Sequence, residues 1–145
     1  MKKSRLTKIL VEGDPALLKK LSTQVEGRSH VQLERPASCG LVMIKARDSV
    51  SMQPFYMGEV LLSECTVAIN DSFGIGVIMG EALEKAYQLA VIDAAFNAQL
   101  DITSSWKFEL EEEERNIYNK QLMESKIVSQ SQVHFDTMED YNDKS

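Results

Sequence analysis

The alternation of apolar and polar residues predicts two short helices at the start of the chain. Residues 4–12 carry apolar side chains at helical spacing, and Gly13 ends this segment. Asp14 is suited to cap a second helix, which has Pro15 at its first position and ends at Gly27. The apolar face of the second helix consists of Leu17, Leu18, Leu21 and Val25. Two helices joined by Gly-Asp-Pro form a helical hairpin.

From His30 onward the period changes from that of a helix to that of a strand. The predicted strands are residues 31–35, 40–47, 55–69 and 73–79. Pro36 separates the first two strands, and Gly58 indicates a bulge in the third. Asn70, Asp71 and Ser72 form a turn before the last strand. Sequential strands joined by short turns imply an antiparallel meander of about four strands.

The rest of the chain is predicted to be mostly helical. Residues 82–99 form an alanine-rich helix, 101–105 a break, and 109 to about 128 another helix. The acids Glu111 to Glu114 at the start of the last helix suit its dipole and are predicted to be mostly solvated. Residues 133–138 are predicted to be a short final strand. The prediction is an α+β fold in one domain over residues 1–138, with a flexible tail at 139–145.

The glycines of FGIGVIMGEALEKA, residues 73–86, raise the question of a phosphate-binding loop. A dinucleotide fingerprint reads G-x-G-x-x-G, but here the third glycine, Gly80, comes one residue late. Glu81 and Glu84 would compete with an anion for the amides that begin the helix. The interpretation is a strand that runs into a helix. Its glycines serve backbone packing, and any nucleotide site would be completed by a partner.

Composition limits the classes of function. The formal net charge is −6, which argues against a general nucleic-acid or anionic-membrane surface. The apolar part of MKKSRLTKIL is too short for a signal peptide, and no apolar stretch is long enough to span a bilayer. We therefore expect a cytoplasmic protein. Cys39 and Cys65 are expected to be buried thiols rather than a disulfide or metal site.

The chain offers few groups for catalysis. Its two histidines, His30 and His134, could cooperate only if the fold joined them. The positions of Glu59 and Glu64 differ by an odd number, which places the two carboxylates on opposite faces of a regular strand. A bulge at Gly58 could place Glu59 in a cleft, so Glu59 is a weak catalytic candidate. An edge carboxylate is the commoner alternative.

Two further residues are candidates for binding. Arg47 follows an apolar strand and could meet a phosphate or a partner's carboxylate, although strand-end arginines are more often solvated. Asp93 lies among apolar residues of the alanine-rich helix, where a carboxylate is either paired or at an interface. Long apolar elements in a short chain favour a subunit or adaptor that is partly covered by another protein.

Three stretches in order resemble the PhnG family, the small subunit of the carbon–phosphorus lyase system for phosphonate use. They are RPASCGLVMIKAR (residues 35–47), FYMGEVLLSECTV (55–67) with the following GIGVIMG and AYQLAVIDAA, and SQVHFDTM (131–138). The resemblance covers residues 1 to about 139. The residues that match the family pattern are Gly40, Arg47, Phe55, Gly58, Glu59, Gly80, Asp93, Ala94, Phe135, Thr137 and Met138.

The resemblance implies partners and a pathway step that the residues alone do not. Members are associated with PhnH, PhnI and PhnJ, and transiently with PhnL. With PhnH, PhnI and PhnL they support displacement of adenine from ATP by a phosphonate. The resemblance assigns the nucleosidase chemistry to PhnI. It assigns the cleavage of the C–P bond, with an iron–sulfur cluster and S-adenosylmethionine, to PhnJ. No cofactor is expected on this chain alone.

The sequence also departs from the family pattern. Ser63-Glu64 stands where the family has Thr-Arg, so any contact made by that arginine is in doubt. The loop 48–54 lacks the family's glycine-rich connection, and Gly80-Glu81-Ala82 replaces Gly-Arg-Asp. Two alternatives to a subunit therefore stay open. One is a free-standing small enzyme that uses Glu59 and a histidine, and the other is a homo-oligomeric binding module.

Overall fold

The computed structural model describes residues 2–47 and 49–143, without the side chains of Tyr56 and of 131–143. The elements are α1 (Lys3–Glu12), α2 (Pro15–Arg28), β1 (Gln32–Arg47), β2 (Pro54–Ile69), β3 (Ser72–Met79), α3 (Leu83–Asn97), α4 (Ile102–Ser105) and α5 (Lys107–Asp143). The predicted α+β class is confirmed. The predicted loop at 48–54 begins outside the described residues, and so does the end of the predicted tail.

The sheet is an antiparallel meander in the order β1-β2-β3, as predicted. The two predicted strands at 31–35 and 40–47 are continuous in β1. Pro36 does not break the strand because β1 is at the edge of the sheet, where a missing N–H is tolerated. Register shifts between Leu33 and Arg35, and between Arg35 and Ser38, accommodate it.

Half of the β1–β2 hairpin extends beyond the third strand. β3 pairs only with Leu62–Ile69 of β2. Residues 54–61 of β2 therefore pair with β1 alone, and together with residues 40–47 they form a two-stranded projection that we call the arm. The predicted bulge is confirmed, since the register shifts after Ile44, beside Gly58, which has a φ of 151°.

The helices cover one face of the sheet, and α3 packs closest to it. A Cβ at Gly74 would overlap the Ala90 carbonyl oxygen and the Ala94 amide, and one at Gly76 would overlap the Ala86 carbonyl oxygen. These glycines therefore let the backbones of β3 and α3 touch, as predicted. Around this contact the core includes Ile9, Leu18, Leu21, Val25, Cys65, Val67, Ile69, Ile92, Trp106 and Leu110.

The acids at the start of α5 bind the helical hairpin. Glu109 pairs with Lys20 at 3.0 Å, and Glu114 accepts a hydrogen bond from Arg5 Nε at 2.9 Å. Glu113 accepts the Asp14 backbone N–H at 3.0 Å. Glu113 and Glu114 therefore bind the hairpin from the surface of the protein, where both carboxylates keep contact with solvent. Carboxylates at the start of a helix suit its dipole and can also hold a neighbouring helix.

The C-terminal region differs from the prediction. The backbone is helical through Asp143, so the short final strand at 133–138 is wrong. Six residues of alternating pattern do not distinguish a strand from a helix, and the described sheet ends at β1 and β3 without a further strand. The flexibility of residues 139–145 stays a prediction. Over the described residues no helix is both long and apolar enough to cross a bilayer.

Candidate interaction surface

The arm exposes large apolar side chains on both of its faces. Leu41 and Met43, on the face that continues toward the helices, are 65% and 55% exposed. Val42 and Ile44, on the opposite face, are 47% and 42% exposed. The β2 half of the arm adds exposed Phe55, Met57 and Leu61. A two-stranded ribbon cannot bury both of its faces by itself, and residues 40–45 of β1 are all exposed.

A second apolar stripe follows β3 on the face of the sheet that points away from the helices. It consists of Phe73, Ile75, Val77 and Met79. Because Gly74 and Gly76 face α3, every odd residue of β3 must point outward. On the same face Arg35 lies 3.9 Å from Glu64, so the departure from Thr-Arg places an acid beside an arginine of β1. Soluble monomers rarely expose contiguous apolar patches of more than about a few hundred Å².

The predicted site residues Arg47 and Glu59 both belong to the arm. Arg47 is exposed at its distal end, opposite Pro54. Glu59 is exposed and lies opposite Met43. The unbroken register from Glu59 to Glu64 places these two carboxylates on opposite faces, as predicted. The carboxylate of Glu59 is therefore on the same face as Leu41 and Met43.

Asp93 occupies a different place, at the outer edge of β3. Its carboxylate accepts the Ile75 N–H at 3.0 Å and lies 3.6 Å from Lys3 Nζ. Asn97, one turn later on α3, donates to the Phe73 carbonyl oxygen at 2.7 Å. Two side chains of α3 thus satisfy backbone groups that an edge strand would otherwise expose. Asp93 is paired, and its expected partner contact stays a prediction.

The structure does not bring the three candidates together. Ile75, which binds Asp93, is opposite Thr66, whereas Arg47 is opposite Pro54. Twelve residues of β2 separate Thr66 from Pro54, which is about 40 Å of extended chain. Arg47 and Glu59 therefore belong to the arm, and Asp93 belongs to the body.

The two cysteines are free thiols in different environments. Cys65 is buried, and burial raises its pKa. Cys39 is exposed, so the expectation that both are buried is wrong for Cys39. It lies on β1 at the edge of the sheet, and the sequence pattern does not show which strand is at an edge. Over the described residues no group of three His, Cys, Asp or Glu side chains could hold a metal ion.

His30 lines an open cavity of about 470 Å³ at the end of α2, beside Arg28 and Tyr87. Burial, and then the charge of Glu26, raise the pKa of Tyr87. His30 lies just before Gln32, which pairs with Ala68 of β2. Ala68 is nine positions along β2 from Glu59, which is about 30 Å of extended chain. Glu59 and His30 therefore do not form a catalytic pair. The side chain of His134 lies outside the described residues.

Ser63 is a buried polar residue whose role sequence reasoning missed. Its Oγ donates to the Gly80 carbonyl oxygen at 2.6 Å and accepts the Ala82 N–H at 2.9 Å. These bonds fix the turn between β3 and α3. The available signal was a hydroxyl side chain at an inward position of a central strand, since such a group must find a partner when buried.

The comparison with known families identifies the family of this chain. Residues 1–139 match the family described as "Phosphonate metabolism protein PhnG". The chain belongs to the PhnG family and has a role in phosphonate metabolism. No individual curated protein matches it significantly. Among the matching residues named above, the side chains of Phe135, Thr137 and Met138 lie outside the described part of the chain.

Proposed function

We propose that this protein is a cytoplasmic subunit of the carbon–phosphorus lyase complex. In this role it supports the formation of ribose 1-methylphosphonate 5-triphosphate from ATP and methylphosphonate, together with PhnH, PhnI and PhnL. PhnJ, which cleaves the C–P bond, is a further partner. Membership of the PhnG family supports the pathway. The surface of the chain supports the role of a subunit.

The arm is the observation that carries this proposal. Among the side chains of the arm that the structure describes, seven large apolar ones are exposed, and they lie on both faces. Apolar side chains exposed in this way cost solubility unless another protein covers them. Arg47 and Glu59 lie within this surface, so they are placed to contact a partner subunit. The arm would position a partner's catalytic groups rather than supply its own.

The chemistry fits the other subunits better than this chain. Displacing adenine from the ribose C1 atom requires a positioned triphosphate and assistance to the leaving base. Glu59 and His30 are too far apart to share that work. Iron–sulfur clusters are usually held by four thiolates, and this chain has two cysteines. The cluster, S-adenosylmethionine and ATP are therefore assigned to the complex and not to this subunit alone.

Reconstitution tests the proposal. PhnH, PhnI and PhnL are mixed with ATP and methylphosphonate, with or without this chain, and released adenine is measured by chromatography. We expect adenine release that depends on this chain, and none from the chain alone. Full release without this chain would contradict the proposal. Release by the chain alone that is abolished by Glu59→Gln would favour the free-standing enzyme.

A homo-oligomeric binding module is the remaining alternative. The mass of the chain's assembly, measured with and without PhnH, PhnI and PhnL, tests it. Such a module would form a closed assembly of one defined mass, indifferent to the other subunits. The proposed subunit instead changes its assembly state when they are present.

A further inference from the structure

The two edges of the sheet differ in how their backbone groups are protected from pairing with another strand. Along β3 the Ile75 N–H donates to the Asp93 carboxylate, and the Phe73 carbonyl oxygen accepts from the Asn97 side chain. Along β1 the half nearest the helices carries Pro36 and two register shifts, which disfavour pairing with another strand. From Cys39 to Ile44, by contrast, β1 pairs with β2 in unbroken register. Residues 39–44, Cys-Gly-Leu-Val-Met-Ile, contain no charge and no proline.

The backbone groups on this edge can be assigned from the ladder. The Leu61 carbonyl oxygen accepts the Gly80 N–H, so Leu61 directs its backbone toward β3. In an antiparallel ladder the direction alternates, so Val60 and Leu62 face β1. They are opposite Val42 and Gly40, which are therefore hydrogen-bonded to β2. The residues between and beside Gly40 and Val42 direct their backbone N–H and C=O groups away from β2.

It follows that Leu41 and Met43 present their N–H and C=O groups to the free edge. Their side chains are more than half exposed, and the neighbouring Val42 and Ile44 expose apolar side chains on the other face. An exposed, uncharged edge of this kind is an aggregation risk unless a second strand completes it. The chain protects its other edge, so the open segment is a feature to be explained.

We infer that residues 39–44 of β1 pair with an extended strand of a partner subunit, which adds a fourth strand to the sheet. This inference rests on the proposed function and specifies how that partner binds. The main-chain hydrogen bonds of Leu41 and Met43 supply the ladder, and apolar side chains on both faces supply the specificity. The incoming strand is apolar at successive positions, so that both of its faces are apolar like those of a central strand.

Charge specifies one end of the incoming strand. Lys45 and Arg47 follow the open segment directly and share a face, because every second residue of a strand points to the same side. Both are exposed. An acidic residue at the end of the partner strand that reaches Lys45 would complement this pair.

A second copy of this chain fits less well than a different protein. A copy paired at this edge would cover the edge but neither apolar face of the arm. It would also place two chains of net charge −6 side by side. A partner that contributes a strand from a larger surface covers both the edge and the faces.

Leu41→Pro tests the pairing. It removes an outward N–H and obstructs the incoming strand, but removes no hydrogen bond between β1 and β2. Leu41→Ala is the matched control, since it shortens the same side chain and keeps the N–H. The tagged chain is co-expressed with PhnH, PhnI and PhnJ, and captured subunits are quantified. We expect Leu41→Pro to lower capture by about tenfold or more, and Leu41→Ala to lower it much less.

Hydrogen exchange on the unmodified chain gives a second readout that does not depend on the folding of a variant. In the free chain the amides of Leu41 and Met43 exchange fast, whereas those of Gly40 and Val42 are protected. In the complex Leu41 and Met43 also become protected. Two results together overturn strand pairing. One is that Leu41→Pro forms the complex as well as the unmodified chain does, and the other is that the Leu41 and Met43 amides of the unmodified chain stay unprotected in the complex.

Two other outcomes are distinguishable. If the unmodified chain captures no subunit, the proposed function fails and this inference fails with it. If the free chain is a dimer in native mass spectrometry and Leu41→Pro makes it a monomer, the edge is occupied by a second copy, which overturns the inference of a different partner.

Discussion

The hydroxyl oxygen of Ser63 lies 2.6 Å from the carbonyl oxygen of Gly80, and this contact joins the central strand to the turn that leads into α3. The same hydroxyl accepts the Ala82 N–H. One buried side chain therefore fixes where α3 begins relative to the sheet.

We predict that Ser63→Ala destabilises the fold by about 1–3 kcal/mol, because it leaves two backbone groups without their partner. Ser63→Thr is the matched control, since it keeps the hydroxyl. Urea unfolding followed by the fluorescence of buried Trp106 measures both. Equal stability of Ser63→Ala and the unmodified chain would show that water replaces the hydroxyl at no cost.

The contact between β3 and α3 makes a second prediction. Gly74→Ala and Gly76→Ala should each destabilise the fold by about 1–3 kcal/mol or more, because the added methyl group overlaps the backbone of α3. Gly40→Ala is the control, since nothing lies within 4 Å of its Cβ position. Thermal unfolding measures all three. A stable Gly76→Ala variant would contradict the close approach of the two backbones.

The ion pair between Arg5 and Glu114 predicts a pH dependence. The hydrogen bond from Arg5 lowers the pKa of Glu114 below its ordinary value of 4.5. A carboxylate whose pKa is lower in the folded state stabilises the fold above pH 4.5, and loses this effect as the pH falls through the folded-state pKa. Because both side chains are exposed, the effect is small.

Glu114→Gln tests this dependence. The unmodified chain should be more stable than the variant at pH 7, and the difference should shrink at about pH 3. The denaturation midpoint at each pH measures it. A difference that stays constant with pH would show that the carboxylate charge contributes nothing.

The thiols predict different reactivities. Cys39 is exposed, whereas burial raises the pKa of Cys65 and shields it from reagents. Because the thiolate is the reactive form, a thiol reagent at neutral pH should modify one cysteine fast and one slowly. Cys39→Ser should abolish the fast phase. Two fast phases in the folded protein would contradict the burial of Cys65.

The positions of the helices and strands were easier to predict from the sequence than their exposure to solvent. The helical hairpin, the meander, the bulge at Gly58 and the packing role of Gly74 and Gly76 all follow from local rules. Pro36 misled the strand count, because the sequence does not show which strand is at an edge. The strand at 133–138 was wrong because a short alternating segment carries no information about a pairing partner.

The candidate surface was harder to predict than the fold. GLVMIKAR is apolar on both faces, which is typical of a covered central strand, yet β1 lies at the edge and is exposed. The apolar pattern indicates that both faces of a strand are buried, but not whether this chain or another protein buries them. Asp93 was correctly suspected of being paired, but its partner, the Ile75 N–H, is set by the tertiary contact between α3 and β3.

The central claim is that this chain is a subunit whose apolar arm binds another protein of the complex. The most direct measurement is co-expression of the tagged chain with PhnH, PhnI and PhnJ from the same genome, followed by native mass spectrometry. Leu41→Asp with Met43→Asp is the variant that should abolish the interaction. We predict a stable complex that contains PhnI and is lost in the variant. A tagged chain that elutes alone while every partner is soluble would contradict the account.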